Sequence, residues 1–274
     1  MTTDQLFTPQ DLFLAWEREP WSSQAIDLTA DAAGWAEMPE SERDAVLWAL
    51  SSLIVAEERI TTQFTGLVLA ADDEEETSYL ASQQVDEARH LQFYARFQNE
   101  VVSDPDAIAA HVARAREHLG DPFRTIFDEA LVQAHEKLVA DPRDRAAKVE
   151  FVTIYHQVIE GTLGTTAFRF ITQYLNEHGL IPGFVEGYRR IARDEQRHVA
   201  YGTGFLKQAV ADDPAQADRI KATLHGLLPA VAQALEPPPS ENGEGPAFGV
   251  DPDEVRAFAL DGLTRRLNVI GASL

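Results

Sequence analysis

The chain has 274 residues, a formal charge of −22 and no cysteine. That charge repels phosphate and argues against nucleic acid as a partner. Without thiols there is no disulfide framework, thiolate metal site or cysteine nucleophile.

Residues 1–38 hold three of the four tryptophans, Trp16, Trp21 and Trp35. They are expected to form an irregular lead-in packed on a helical body. Met1-Thr2-Thr3-Asp4-Gln5 has no basic stretch of the signal-peptide kind. No apolar run reaches the roughly 18 residues needed to cross a bilayer. The expected location is the cytoplasm, with no membrane span.

A first long helix is expected from near Pro39, capped at Ser41, with Val46, Leu47, Leu50, Leu53, Ile54 and Ile60 at helical spacing on its inner face. The acidic run at 72–76 predicts a solvated loop. A second helix follows over about 75–101. Two shorter helices, about 105–119 and 122–140, each open at Asp-Pro. A third long helix is expected over 143–177 and a fourth over 182–211. Gly161 and Gly164 interrupt the third, and each costs about 1 kcal/mol against Ala. They point to a close helix contact, a kink or a cavity, bordered by Thr162, Thr165 and Thr166. Helices near 215–235 and 251–268 complete the chain, and the Pro- and Gly-rich stretch at 237–250 predicts a mobile loop. No strand signal and no second domain are visible. The expected architecture is all-α, one domain over 1–274.

Two pentapeptides carry the chemistry, Asp86-Glu87-Ala88-Arg89-His90 and Asp194-Glu195-Gln196-Arg197-His198. A Glu and a His three residues apart lie on one helix face. Two such pairs and one Glu from each of two further helices form the ligand set of a carboxylate-bridged dimetal site in a four-helix bundle. Glu57 and Glu160 supply those carboxylates. Thirty residues separate Glu57 from Glu87, and thirty-five separate Glu160 from Glu195. Each interval is centred on a break, at Asp72 and near Glu177. An antiparallel hairpin of about 15 residues out and 15 back returns the chain to one level. Of the eight histidines, only His90 and His198 have a Glu three residues earlier. Such oxygen and imidazole ligands suit iron and manganese. Six ligands for two metals leave positions open to dioxygen, with Ile54, Phe64 and Phe168 keeping the site dry. The competing class is a ferritin-like metal-binding or storage protein.

His111, His118, His135, His178 and His225 are expected on helix surfaces, and His156 on a different face from Tyr155. Glu58 and Arg59 are expected to pair on the first helix.

The chain resembles the ribonucleotide reductase small-subunit-like (ferritin-like) superfamily, in its ligand-binding oxidase branch. The resemblance rests on Trp21 with Ile26-Asp27, Ala56-Glu57-Glu58-Arg59-Ile60-Thr61, both pentapeptides, Tyr155-His156-Gln157-Val158-Ile159-Glu160-Gly161 and Leu180-Ile181-Pro182-Gly183. It covers about residues 20–270. It implies a homodimer with a manganese–iron or di-iron centre, dioxygen as co-substrate and a long-chain fatty acid or similar apolar ligand over the metals. It implies Glu57, Glu87, His90, Glu160, Glu195 and His198 as ligands, with Glu57 rather than Glu58 aligned. It also implies an ether link from Tyr155 to the residue at position 60. The branch carries Val there and this chain has Ile60, whose Cβ still bears a tertiary C–H. Tyr94 falls where reductase small subunits place a radical tyrosine, and Trp21 and Asp194 match part of their electron-transfer path. A radical-generating small subunit is therefore the alternative. Reductase small subunits look to need a Tyr on their C-terminal tail, whereas the last Tyr here is Tyr201. Dimetal amine oxygenases resemble the site too, but their extra histidine position is Ile191.

Overall fold

The computed structural model describes residues 6–236 and 250–273. The loop expected at 237–250 falls almost wholly outside the described residues, as do the side chains of His111 and His118.

The lead-in is not irregular. It forms α1 (Pro9–Arg18), a 3₁₀ turn (Ser23–Ala25) and α2 (Thr29–Glu37). Thr8 Oγ1 accepts the Asp11 N–H while the Asp11 carboxylate accepts the Thr8 N–H, a capping box with Pro9 opening the helix. Helices this short are marginal alone. They persist because Leu12 and Trp35 are buried against the body.

Four long rods follow. The first is α3 (Glu40–Gln63), in which Ser41 is the second helical residue and Pro39 occupies the cap position. After the short α4 (Thr65–Leu69) comes α5 (Glu74–Phe97). The acidic run is therefore mostly the first turn of α5. Asp73 caps it through the Glu76 N–H, and the glutamates favour the positive helix end. A wide π turn (Gln98–Val102) leads to α6 (Pro105–Phe123), broken at Gly120 where φ is 48°. Then come a second wide turn (Arg124–Ala130) and α7 (Leu131–Ala140). The third rod is composite: α8 (Arg145–Val152), a wide turn (Thr153–Gly164) and α9 (Thr165–Glu177). The fourth is α10 (Pro182–Asp212), followed by α11 (Ala215–Ala234) and α12 (Pro252–Ile270). Among the described residues there is no strand, and no helix is long and apolar enough to cross a membrane.

The lead-in positions α10. Ile181, at the head of α10, has φ 37°, a left-handed conformation costly for a β-branched residue. The first N–H groups of α10 find their acceptor in α2. The buried Asp31 carboxylate accepts from Gly183 N at 2.8 Å and Phe184 N at 2.6 Å. A Cβ at Gly183 would lie 2.3 Å from the Asp27 carbonyl oxygen, so glycine permits this contact.

The wide turn at 153–164 leaves backbone carbonyls that an α-helix would use. Thr162 Oγ1 donates to Gln157 O at 2.7 Å, and Thr165 Oγ1 to Glu160 O at 3.0 Å. Arg266 of α12 donates to the Gln157 side chain at 3.0 Å and bonds Thr162 Oγ1 at 3.0 Å. A Cβ at Gly161 would come within 3.0 Å of the Arg266 guanidinium. Of the roles open to the mid-helix glycines, close helix contact is therefore the one Gly161 fills. Thr162 and Thr166 turn their hydroxyls to the backbone rather than line a cavity.

Candidate metal centre

Glu57 comes from α3, Glu87 and His90 from α5, Glu160 from the wide turn, and Glu195 and His198 from α10. All six are buried. Their ligand atoms gather in two sets: Glu87, Glu160, Glu195 and His198 in one, and Glu57, His90 and Glu195 in the other, with atoms within 4.8 Å of one another in each. Glu195 belongs to both. Glu87 also spans them: its Oε2 lies 3.5 Å from His90 Nδ1 and its Oε1 3.4 Å from His198 Nδ1.

The histidines turn Nδ1 inward and Nε2 outward. His90 Nε2 bonds Asp194 Oδ2 at 3.2 Å, and His198 Nε2 bonds Asp86 Oδ2 at 3.3 Å. A carboxylate accepts only, so each Nε2 carries a proton, and each Nδ1 faces the cluster, His198 Nδ1 3.2 Å from Glu160 Oε1, where a metal would take the place of any proton it holds. The pairing is crossed, the Asp of each pentapeptide holding the His of the other. Arg197 bonds both aspartates, and Arg89 lies 2.7 Å from Asp86. Two indoles complete the arrangement, Trp21 donating to Asp194 at 2.8 Å and Trp16 to Asp86 at 2.9 Å.

Burial pushes the carboxyls of Glu57 and Glu160 well above the ordinary range, reinforced by neighbouring carboxylates. Glu195 is raised in the same way. Burial acts upward on Glu87 too, but His198, His90 and the Tyr155 hydroxyl outweigh it and hold it at about 2. Burial disfavours charge on His90 and His198, yet the surrounding carboxylates raise both. Glu57 Oε2, His90 Nδ1, Glu160 Oε2 and Glu195 Oε2 are buried with no hydrogen-bond partner among the described residues. Buried polar atoms are ordinarily satisfied. These four belong to the predicted ligand set, and two cations would satisfy them together.

The Tyr155 hydroxyl donates to Glu87 Oε1 at 2.9 Å. Ile60 lies in the same apolar cluster as Tyr155 and Phe64. Tyr94 is buried against Phe93 and Phe184, and its hydroxyl has no partner among the described residues. Ile191, the amine-oxygenase position, is buried in the apolar cluster around Phe93. Arg59 pairs with Glu58 at 3.9 Å and more closely with Asp128 at 2.6 Å.

Two residues at the site escape the sequence reading. His156 is fully buried, with Nε2 3.3 Å from Gln83 Oε1 and 3.9 Å from Glu160 Oε2. Gln83 Nε2 donates to Glu160 Oε1 at 3.2 Å. Gln83 sits one turn before Glu87, a spacing that could have flagged it. His135 is half-buried rather than on the surface, with Nδ1 2.7 Å from Gln63 O.

A profile of the family described as ribonucleotide reductase, small chain, matches residues 10–234. The chain belongs to the ribonucleotide reductase small-chain family. Solved structures sharing its fold include a variant of an R2-like ligand-binding oxidase with an anaerobically reconstituted Mn/Fe cofactor, at TM-score 0.83 and 23% identity over 100% of this chain and 96% of that one. A tyrosine-to-phenylalanine variant, also anaerobically reconstituted, gives 0.84 and 23% over 99% and 96%. A valine-to-isoleucine variant, aerobically reconstituted with Mn/Fe, gives 0.83 and 22% over 99% and 97%. At these identities the likeness is one of fold. This small-chain member thus has an all-α ferritin-like body, with six clustered carboxylates and histidines inside it.

Proposed function

We propose that this small-chain relative is a dimetal oxidase, in which Glu57, Glu87, His90, Glu160, Glu195 and His198 hold manganese and iron, or two irons. The observation that carries this reading is the set of four buried, unpartnered ligand atoms inside a cluster shared through Glu195. The donor chemistry fits, since carboxylates with one imidazole per metal suit these ions, and the named oxidases with this fold contain Mn/Fe. When bound, the metal pair supplies electrons and a paired Lewis-acid site for dioxygen. The chain's part is to orient and to exclude water. Asp86 and Asp194 hold the outer imidazole nitrogens, and the Phe64 ring packs 5.0 Å from that of Tyr155.

The ligand is an acyl chain whose carboxylate meets the metals. Leu53, one turn before Glu57, opens a seam between α3, α9 and α10 lined by Val46, Ala49, Leu50, Ile171, Leu175 and Phe184. The gap there is about 10 Å³, so a tail entering it must part these side chains. The working form is a cytoplasmic homodimer, which sedimentation of the metal-loaded protein tests. The radical-subunit alternative is weakened because, among the described residues, no hydrogen-bond acceptor faces the Tyr94 hydroxyl.

Anomalous diffraction at the manganese and iron edges tests the centre. Two peaks about 3.5–4 Å apart between the six side chains are expected. A map from metal-soaked crystals with no peak there rejects the reading. Aerobic loading is expected to join Tyr155 Oη to Ile60 Cβ, removing the O–H and C–H hydrogens as dioxygen is reduced. Peptide mass spectrometry should then find the linked pair two hydrogens lighter, and an unmodified pair in fully loaded protein rejects the link. Lipid extraction of the purified protein should recover a fatty acid.

A further inference from the structure

Five tyrosines are buried around the centre: Tyr79, Tyr94, Tyr155, Tyr188 and Tyr201. Their hydroxyl partners tell them apart. Loss of one electron makes a tyrosine hydroxyl a strong acid, so oxidation is easy only where a base is already placed to receive the proton. Among the described residues, the hydroxyls of Tyr79, Tyr94 and Tyr188 have no hydrogen-bond partner. Tyr155 donates to Glu87, a carboxylate of the metal cluster. Tyr201 donates at 2.6 Å to Glu76 Oε1, which stands outside that cluster.

A contiguous path joins Tyr201 to the site. Its ring meets the His156 ring edge-on with centroids 5.3 Å apart. His156 Nε2 bonds Gln83 Oε1 at 3.3 Å, and Gln83 Nε2 reaches Glu160 Oε1 at 3.2 Å and Glu87 Oε1 at 3.4 Å. On its far side Glu76 Oε2 accepts from Lys148 Nζ at 2.7 Å and from Asp72 N at 2.5 Å. Lys148 also bonds the Asp72 carboxylate at 2.9 Å, and that side chain is 57% exposed. The path therefore runs from the cluster to the surface. Burial and the neighbouring Glu76 charge keep the Tyr201 hydroxyl protonated at rest, so its proton departs only with an electron.

We propose that Tyr201 is a one-electron donor to the metal centre, with Glu76 as its proton acceptor. The proposal rests on the dimetal reading above. In the step, an electron passes from Tyr201 by way of His156 and Gln83 to the dioxygen-oxidised metal pair, and the phenolic proton moves to Glu76 Oε1. The products are a neutral tyrosyl radical, a protonated Glu76 and a metal pair reduced by one electron. An ion pair serving only the fold would give Glu76 and Lys148 the same contacts but no radical.

The test is freeze-quenched electron paramagnetic resonance of the metal-loaded protein after mixing with dioxygen, with metal content measured on each sample. The expected signal is a tyrosyl radical whose hyperfine structure collapses on incorporation of ring-deuterated tyrosine. It should persist in Tyr94→Phe, vanish in Tyr201→Phe, and fall at least tenfold in Glu76→Gln with metal content unchanged. A signal that survives in Tyr201→Phe or is undiminished in Glu76→Gln overturns the proposal. So does a metal-replete wild-type protein that consumes dioxygen without any tyrosyl signal. Protein that takes up no metal overturns the dimetal reading and this proposal together, so the two failures are distinct.

Discussion

Loading the metal-free protein anaerobically with manganese(II) and iron(II) is expected to raise its stability by about 4 kcal/mol per ion, about 8 kcal/mol for the pair, at a thousandfold excess over each dissociation constant. At roughly 2–3 °C per kcal/mol for a chain of this size, that is about 20 °C in the unfolding midpoint. The gain should grow as pH rises above about 6.5, the ordinary imidazole value. Without metal, the cluster holds its charges in check with protons. The carboxyls of Glu57 and Glu160 and the imidazoles of His90 and His198 all have raised pKa values in the fold. A raised group contributes stability that is complete below its ordinary value and is lost as pH climbs through the raised one. Each such group still protonated costs up to about 1.4 kcal/mol per pH unit. Glu87, held at about 2, has the opposite sign, and its contribution is already complete above pH 5. His156, held low by burial, contributes above its ordinary value and is flat by pH 7.5. The metal-free midpoint should therefore fall across this window. Metals replace the protons, so the loaded midpoint should hold level or rise. Calorimetric scans with and without metal measure the difference. Parallel pH profiles would mean that the ions bind somewhere other than this cluster.

The bundle was legible because long helices with apolar residues at helical spacing leave little choice of partner. The meeting of Glu57 with Glu87, and of Glu160 with Glu195, was legible for a simpler reason. Residues equidistant from a turn return to one height, whatever packs around them. The lead-in was not legible. Neither α1 nor α2 is long enough to stand alone, and what holds them, burial of Leu12 and Trp35 and the Asp31 cap on α10, is a matter of distant partners. His156 lies four residues before Glu160, a spacing that already sets the two on one side of a helix, but with no Glu three residues earlier it carried no ligand signal of its own. The wide turn at 153–164 changes the phase of everything on it, and π segments of this kind favour functional sites. The same turn accounts for the threonines, whose hydroxyls reach carbonyls five residues back. The tryptophans stood out by composition. Their partners did not, because each motif's Asp serves the other motif's His, a crossing that only the packed bundle reveals.

Gly202→Ala is expected to destabilise the protein by about 2 kcal/mol although alanine is the better helix former. The propensity gain is about 1 kcal/mol. Against it, a Cβ at position 202 would lie 2.2 Å from His156 Cβ and 2.6 Å from its Cγ. No rotamer change relieves a clash with a Cβ, and the His156 ring is fully buried between Phe64, Tyr155 and Tyr201. Helix α10 must then part from the wide turn. Overpacking of this kind costs about 1–3 kcal/mol and occasionally more, and a contact this near the backbone belongs at the upper end. Gly226 on α11 is the control. Among the described residues nothing lies within 4 Å of its added Cβ, so Gly226→Ala should stabilise by about 0.5–1 kcal/mol. Urea midpoints at constant slope measure both. The two variants should also separate in metal uptake. His198 stands one turn before Gly202, and Glu160 one turn after His156, so any displacement across this contact moves apart side chains now 3.2 Å from each other. Weak metal binding in Gly202→Ala beside normal binding in Gly226→Ala would tie the position of the centre to this one contact. A Gly202→Ala protein with wild-type stability and uptake would mean that the wide turn yields where the packing says it is fixed.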